Sequence, residues 1–275
     1  MRLARRFVTD PAGAVAVALL LLAAAPLVAG CDGAPADRED PPLLVLAASD
    51  LQMAFEEIVP RFRDLTGQRV EVVLGSTGNL AAQIRHGAPA DLFFAADETF
   101  LDDLIEAGRI DPGSRRLYAI GRLALVAPPG REPPAEIAAL ADPGFRVIAI
   151  ANPEHAPYGR AGREALWRAG VWETVRPRLV LGENIAHSYQ FTRTGNADAA
   201  VVALSLVVGI PGGGVPHTVV PVELHAPLRQ AAGVVADSRR EAAARRFLDF
   251  VLSEEGQGIL ARYGFEDPAD GAAPR

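Results

Sequence analysis

The chain has 275 residues, 49% of them hydrophobic and 22% charged, an ordinary globular composition that excludes a disordered chain. Its formal net charge is −7, all 27 basic residues are arginine, and no basic cluster occurs beyond the amino terminus, so nucleic acid is not an expected partner. The single cysteine, Cys31, excludes an internal disulfide and leaves stability to the core.

The first thirty residues read as an export signal. Arg2, Arg5 and Arg6 precede an apolar run over 12–30, interrupted only by Pro26. That run ends in LVAG before Cys31 and resembles a bacterial lipobox, whose cysteine is lipidated and becomes the first mature residue. An uncleaved anchor is the alternative. Either way the body is expected outside the cytoplasm and tethered to a membrane. Loss of three Arg and one Asp with residues 1–30 takes the net charge from −7 to −9. Residues 31–42, acidic and proline-rich, read as a flexible linker, and Asp32 directly after the cysteine resembles the inner-membrane retention signal of some Gram-negative lipoproteins.

The body alternates strand and helix. The apolar run Leu43–Ala48 predicts a parallel strand covered on both faces. It stops at Ser49-Asp50, after which Leu51, Phe55, Ile58 and Phe62 recur at helical spacing over 51–65. A strand at 69–74, the turn Gly75-Ser76-Thr77-Gly78-Asn79 and a helix at 80–86 repeat this grammar. A strand Leu92–Ala95 and a helix at 98–107 follow, and alternation at this spacing means a parallel sheet with crossover helices. Residues 117–127, LYAIGRLALVA, are long enough to bridge two lobes, and the prolines and glycine of 128–134 punctuate the chain behind them.

A second series then places helices at 134–140, 160–169 and 186–193 and strands at 146–150, 178–180 and Ala199–Ala203, closing on IPGGG at 210–214. Residues 217–224 read as the return bridge to a strand at 231–236, with amphipathic helices at 239–252 and 255–263 docked on a sheet. The expected architecture is α/β in two lobes, 43–122 with 220–266 and 123–219, joined by two crossing hinge strands and followed by a disordered tail at 267–275. In such a clamp the ligand lies between the lobes and closure strips its water.

Four turns carry suitable chemistry: Ser49-Asp50, Ser76-Thr77, Pro157-Tyr158-Gly159 and Asn184-Ile185-Ala186, each just before a predicted helix. Helix starts present unpaired amides and a partial positive charge of about half a unit. Four of them converging favour a compact anion without any cationic side chain. A bare dianion costs tens of kcal/mol to bury, and a neutral donor to a charged oxygen returns about 1.5–3 kcal/mol, so about seven donors must converge. The bland alternatives are a plain helix cap at Ser or Thr and a packing role for Tyr158; Ile185 can offer only its backbone amide. The five histidines are scattered and no metal-ligand spacing occurs. A hydrolase using Ser49 or Ser76 lacks a G-x-S-x-G elbow and an assignable histidine base, and an adhesion or sensory module lacks an extra domain.

The strings AASDLQMAFEEI, GSTGNLAAQIRHGAPADLFFAADE, IANPEHAPYGRAG and GENIAHSYQFTRTGNADAAVVAL, in this order, resemble the periplasmic molybdate-binding proteins of ABC transporters. The resemblance implies a type II periplasmic-binding-protein fold, no enzymatic activity and no cofactor. Its ligand would be molybdate, with tungstate as a second, taken up through a cognate permease and ATPase by a monomer anchored through Cys31 at the periplasmic face of the inner membrane or on an extracellular membrane surface. Carried over by position, the oxyanion contacts are the hydroxyls and amides of Ser49 and Thr77, the turn at Tyr158 and the amide of Ile185, with Ser76 and Asp50 beside them.

Two departures stand out. Some members have asparagine where Asp50 stands, and others have tyrosine where Ala203 stands. The cage is then one hydrogen bond poorer or is completed by Tyr158. Asp50 is expected to point outward as a helix cap; pointing inward, it favours an anion that carries a proton, such as hydrogen phosphate, and phosphate and sulfate are the rival ligands.

Overall fold

The computed structural model describes residues 41–209 and 214–269. The export signal, Cys31, nearly all of the linker, residues 210–213 of the IPGGG run and the tail from 270 onward lie outside the described residues.

Among the described residues, ten strands form two mixed five-stranded sheets, and eight α-helices accompany them. In the first, β1 (Leu43–Ala48) lies between β2 (Val70–Gly75) and β3 (Leu92–Ala95), parallel to both. The antiparallel β10 (Leu228–Val234) then pairs with β3 and with β4 (Arg116–Gly121). In the second, β6 (Ile148–Ala151) lies between and parallel to β7 (Leu179–Gly182) and β8 (Ala199–Ala203). The antiparallel β5 (Leu123–Val126) joins β8 to β9 (Thr218–Val219). Each sheet thus repeats one plan, three parallel strands followed by one that returns from the other sheet.

Strand period explains how β1 is covered twice. Leu43, Val45 and Ala47 face the aromatic cluster under α1 (Gln52–Thr66), whereas Leu46 faces Leu80, Ile84, Leu101 and Leu104 of α2 (Thr77–Arg85) and α3 (Glu98–Glu106). In the first cluster Phe62 meets Phe247 edge-on at 5.0 Å and Phe55 meets Phe94 at 5.2 Å, the latter ring also touching Tyr118. Phe247 comes from α7 (Glu241–Leu252), which with α8 (Glu254–Arg262) closes this lobe. The second lobe packs Val, Ala, Ile and Leu from β5, β6 and β8 against α4 (Pro157–Arg168), α5 (Trp172–Val175) and α6 (Ile185–Arg193).

Several expected boundaries are corrected. The run 117–127 is two strands that part at Arg122, because β4 and β5 pair in different sheets. At that crossing the Arg122 carbonyl accepts from the Leu204 amide and its guanidinium pairs with Glu266. On the return path only Thr218–Val219 forms a strand; a short 3-10 turn, Val222–Leu224, separates it from β10, which covers 228–234 in place of 231–236. The helix expected at 134–140 is only a 3-10 turn, Ile137–Ala141, behind the pair Pro133-Pro134. The helices expected from 80, 160 and 186 begin at Thr77, Pro157 and Ile185, which puts the candidate residues in their first turns.

Candidate functional site

The strand ends and helix starts of both sheets meet at one narrow cavity that is partly open to solvent, with about 190 Å³ of atom-free space including its mouth. Ser49, Asp50, Ser76 and Thr77 line it from the first sheet, and Tyr158 and Ile185 from the second, so the structure gathers all six predicted residues around one space. Ala156 and Pro157, which the sequence did not single out as contacts, complete the second wall. No arginine or histidine is among the lining residues. Among the described residues no cluster of His, Cys, Asp or Glu could hold a metal ion. A larger groove along Gln52, Met53, His187, Tyr189 and Arg193 shares Ser49 with this cavity and lies outside it.

The hydroxyls divide by where their hydrogens go. Thr77 Oγ1 accepts from the Ala96 amide at 3.0 Å, and Ser49 Oγ accepts from the Ala186 amide of the opposite lobe at 3.3 Å. Each keeps its hydrogen for another acceptor. Ser76 differs: its hydroxyl donates to the His155 carbonyl at 2.6 Å and lies 2.8 Å from His155 Nδ1. Its single hydrogen is committed to a contact between lobes. The amides of Thr77, Tyr158 and Ile185 sit in the first turns of α2, α4 and α6, where no carbonyl of the preceding helical turn exists to receive them. Asn184 caps α6 by accepting from the His187 amide at 2.9 Å, which fixes the orientation of that turn.

The lobes are held closed around the cavity. The Gly78 amide donates to the His155 carbonyl at 2.9 Å, and a Cβ on Gly78 would lie 2.6 Å from that oxygen. Glycine is therefore needed where the lobes touch. Arg160 of α4 reaches across to Asp97 at 2.5 Å and stacks its guanidinium over Phe100. Ser205, after β8, donates to the Asp50 carbonyl at 2.8 Å.

Asp50 overturns the expectation that it caps the helix outward. It is fully buried, and its Oδ2 accepts from Gln230 Nε2 at 2.6 Å. Gln230 also donates to the Tyr158 hydroxyl at 3.0 Å, and its Oε1 accepts from the Tyr118 hydroxyl at 2.6 Å. Burial raises the Asp50 pKa to about 6, moderated by the bonds from Gln230 and Tyr158 and by nearby backbone amides. Burial likewise pushes the Tyr118 and Tyr158 phenols well above their ordinary range, with the Asp50 charge adding to it. The Tyr158 hydroxyl is thus engaged below the cavity with Gln230 and Asp50, and Ala203, buried in β8, has no donor to offer. Like charges about 4 Å apart cost about 4 kcal/mol at an effective dielectric of 20. An ionised Asp50 therefore opposes any anion in this cavity.

Sequence reading missed Gln230, Tyr118, His155 and Gly121. A Cβ on Gly121 would lie 2.2 Å from the Tyr158 hydroxyl oxygen and 2.6 Å from Gln230 Nε2, so this glycine, one residue before the crossing, makes room for the buried network.

Residues 43–266 match the family described as bacterial extracellular solute-binding proteins. The chain is 35% identical over 255 residues to the molybdate-binding protein ModA of Rhodobacter capsulatus, covering 92% of this chain and 95% of that protein. It is 35% identical over 224 residues to its namesake in Azotobacter vinelandii, covering 80% and 88%. The solved structure of the Azotobacter vinelandii periplasmic molybdate-binding protein superposes with a TM-score of 0.77 at 32% identity, over 82% of this chain and 99% of that one. The chain therefore belongs to the bacterial extracellular solute-binding proteins, a family of transport proteins rather than enzymes, and has their two-lobed type II fold.

Proposed function

We propose that this protein captures molybdate, and tungstate with it, between its lobes and delivers it to a cognate ABC permease and ATPase. The observation that carries the proposal is the cavity lined by strand ends and helix starts of both sheets, with no arginine or histidine in its lining. The hydroxyls of Ser49 and Thr77 and the amides at Ser49, Thr77, Tyr158 and Ile185 replace the hydration shell of the oxyanion, with Ser76 securing the closed form. The molybdate-binding relatives support this ligand. The proposed arrangement has residues 43–122 and 220–266 as one lobe and 123–219 as the other. A signal at 1–30, lipidation of Cys31, a linker to residue 42 and a tail at 267–275 complete a monomer held at the periplasmic face of the inner membrane or on an extracellular membrane surface.

A second ligand class deserves a test because Asp50 brings a carboxylate to the cavity wall, and a carboxylate accepts a hydrogen bond from a protonated anion such as hydrogen phosphate. Ligand that binds only the folded state raises the melting temperature, by about 2.7 kcal/mol of stability at a hundredfold excess over Kd. Purified protein should melt at higher temperature with molybdate and tungstate and be unmoved by equal sulfate or phosphate. A shift with phosphate or sulfate alone would discard the oxometalate assignment.

A further inference from the structure

Asp50 Oδ1 is buried and has no hydrogen-bond partner among the described residues, although Asp50 lines the cavity in which the anion is proposed to sit. Every other polar group facing this carboxylate is neutral. They are the Gln230 amide of β10, the Tyr158 hydroxyl of α4 and the backbone amides of Asp50 and Leu51, with the Tyr118 phenol of β4 one step beyond, on Gln230. No arginine, histidine or second carboxylate is among the groups that set its ionisation. His155 is turned to Ser76, its Nδ1 2.8 Å from that hydroxyl.

A dianion entering this space meets a carboxylate with no cation to offset either. An ionised Oδ1 can only repel the anion, whereas a protonated one becomes a donor in the one position of the network that lacks a partner. We propose that Asp50 is a specificity-determining, proton-accepting residue: capture of a fully ionised oxyanion takes one proton from solvent onto Asp50 Oδ1, which then donates to the ligand. The proton comes from buffer, no covalent bond of the ligand changes, and the protonated side chain does what an asparagine amide would do there. Burial already holds the Asp50 pKa near 6 in the absence of an anion, so the proton must be acquired on binding at any pH above that value.

This inference rests on the anion-capture function proposed above, and its test separates the two. Calorimetric titration of the full protein with molybdate in two buffers of different ionisation enthalpy counts protons directly. Close to one proton per anion is expected at pH 8, falling toward none at pH 5. Kd is expected to rise about tenfold for each pH unit from 6.5 to 8.5. Asp50→Asn should flatten that slope, abolish proton uptake and bind more tightly than the parent at pH 8. A wild-type count of zero at pH 8 overturns the inference without touching the transport function. So does a slope retained in Asp50→Asn, which would put the proton on the ligand, or a slope lost in His155→Gln with Asp50 intact. If molybdate and tungstate fail at every pH but sulfate binds, the ligand assignment falls, and the proton count with sulfate decides on Asp50. If none of these anions binds, both fall.

Discussion

The two walls of the cavity use the same strand–turn–helix unit and offer different chemistry. On the first wall β1 and β2 end in Ser49, Asp50 and Thr77, whose side chains carry the polar atoms. On the second wall the starts of α4 and α6 carry Tyr158, whose hydroxyl is engaged with Gln230, and Ile185, whose side chain is apolar. There the polar groups are backbone amides. A helix start supplies amides whatever its side chains are, so the second wall tolerates side-chain change and the first does not. The difference also fixes where charge can enter: only the first wall carries an ionisable carboxylate.

The largest expected effect tests that asymmetry without any ligand. A carboxyl group whose pKa is about 6 in the folded protein, against an ordinary 3.8, binds its proton more tightly folded than unfolded. Its contribution to stability is full below about pH 3.8 and is lost as pH rises through 6. At pH 8 the ionised Asp50 therefore costs about 2–3 kcal/mol relative to acid conditions. Asp50→Asn keeps an acceptor for Gln230 and adds an amide where Oδ1 has no partner, so it should raise stability at pH 8 by that order and change little at pH 4. Urea unfolding at the two pH values checks this. Equal effects at both would mean that the carboxylate is not strained by its site.

The contrast between the walls also marks how much could be read in the chain. Alternating apolar runs such as Leu43–Ala48 gave the strand–helix order, and a hydroxyl residue before a helical pattern pointed to Ser49 and Thr77, because both signals are local. Asp50 misled for the same reason. Its local pattern is that of a cap, while its burial is set by Gln230, 180 residues away. Tyr118 and Tyr158 are tied to that glutamine across 112 and 72 residues, so neither hydroxyl could be assigned a direction from spacing. The need for glycine at 121 follows only from what packs against it in the folded protein. The start of α4 escaped notice because Pro157 suits the first helical position as well as it suits a loop.

An intermediate effect is expected when one donor is removed from each wall. Thr77→Val deletes the hydroxyl that accepts from Ala96 and points its hydrogen elsewhere. Ile185→Pro deletes an amide at the first position of α6, where proline is tolerated and the preceding Asn184 is already extended. Each lost donor to a charged oxygen should cost about 1.5–3 kcal/mol of binding, a ten- to hundredfold rise in Kd for molybdate. Thr77→Val should also lower the melting temperature, since it leaves the buried Ala96 amide unpaired; Ile185→Pro should lower it less. A large loss from Thr77 and none from Ile185→Pro would mean that side chains alone hold the anion.

The smallest effect is the sharpest discriminator between the walls. Ile185→Val leaves the backbone of α6 and its Asn184 cap in place and removes one methylene from a side chain that is 4% exposed. The expected cost in folding is about 0.5–1.5 kcal/mol, as for other buried Ile→Val changes, with Kd for molybdate unchanged within twofold. If Kd instead rises as far as it does in Ile185→Pro, the isoleucine side chain is gripping the ligand or shaping its volume. The second wall would then be a side-chain wall like the first. An unchanged Kd beside a tenfold loss in Ile185→Pro would assign the contact to the amide, since the two variants share the position and differ most directly in the N–H.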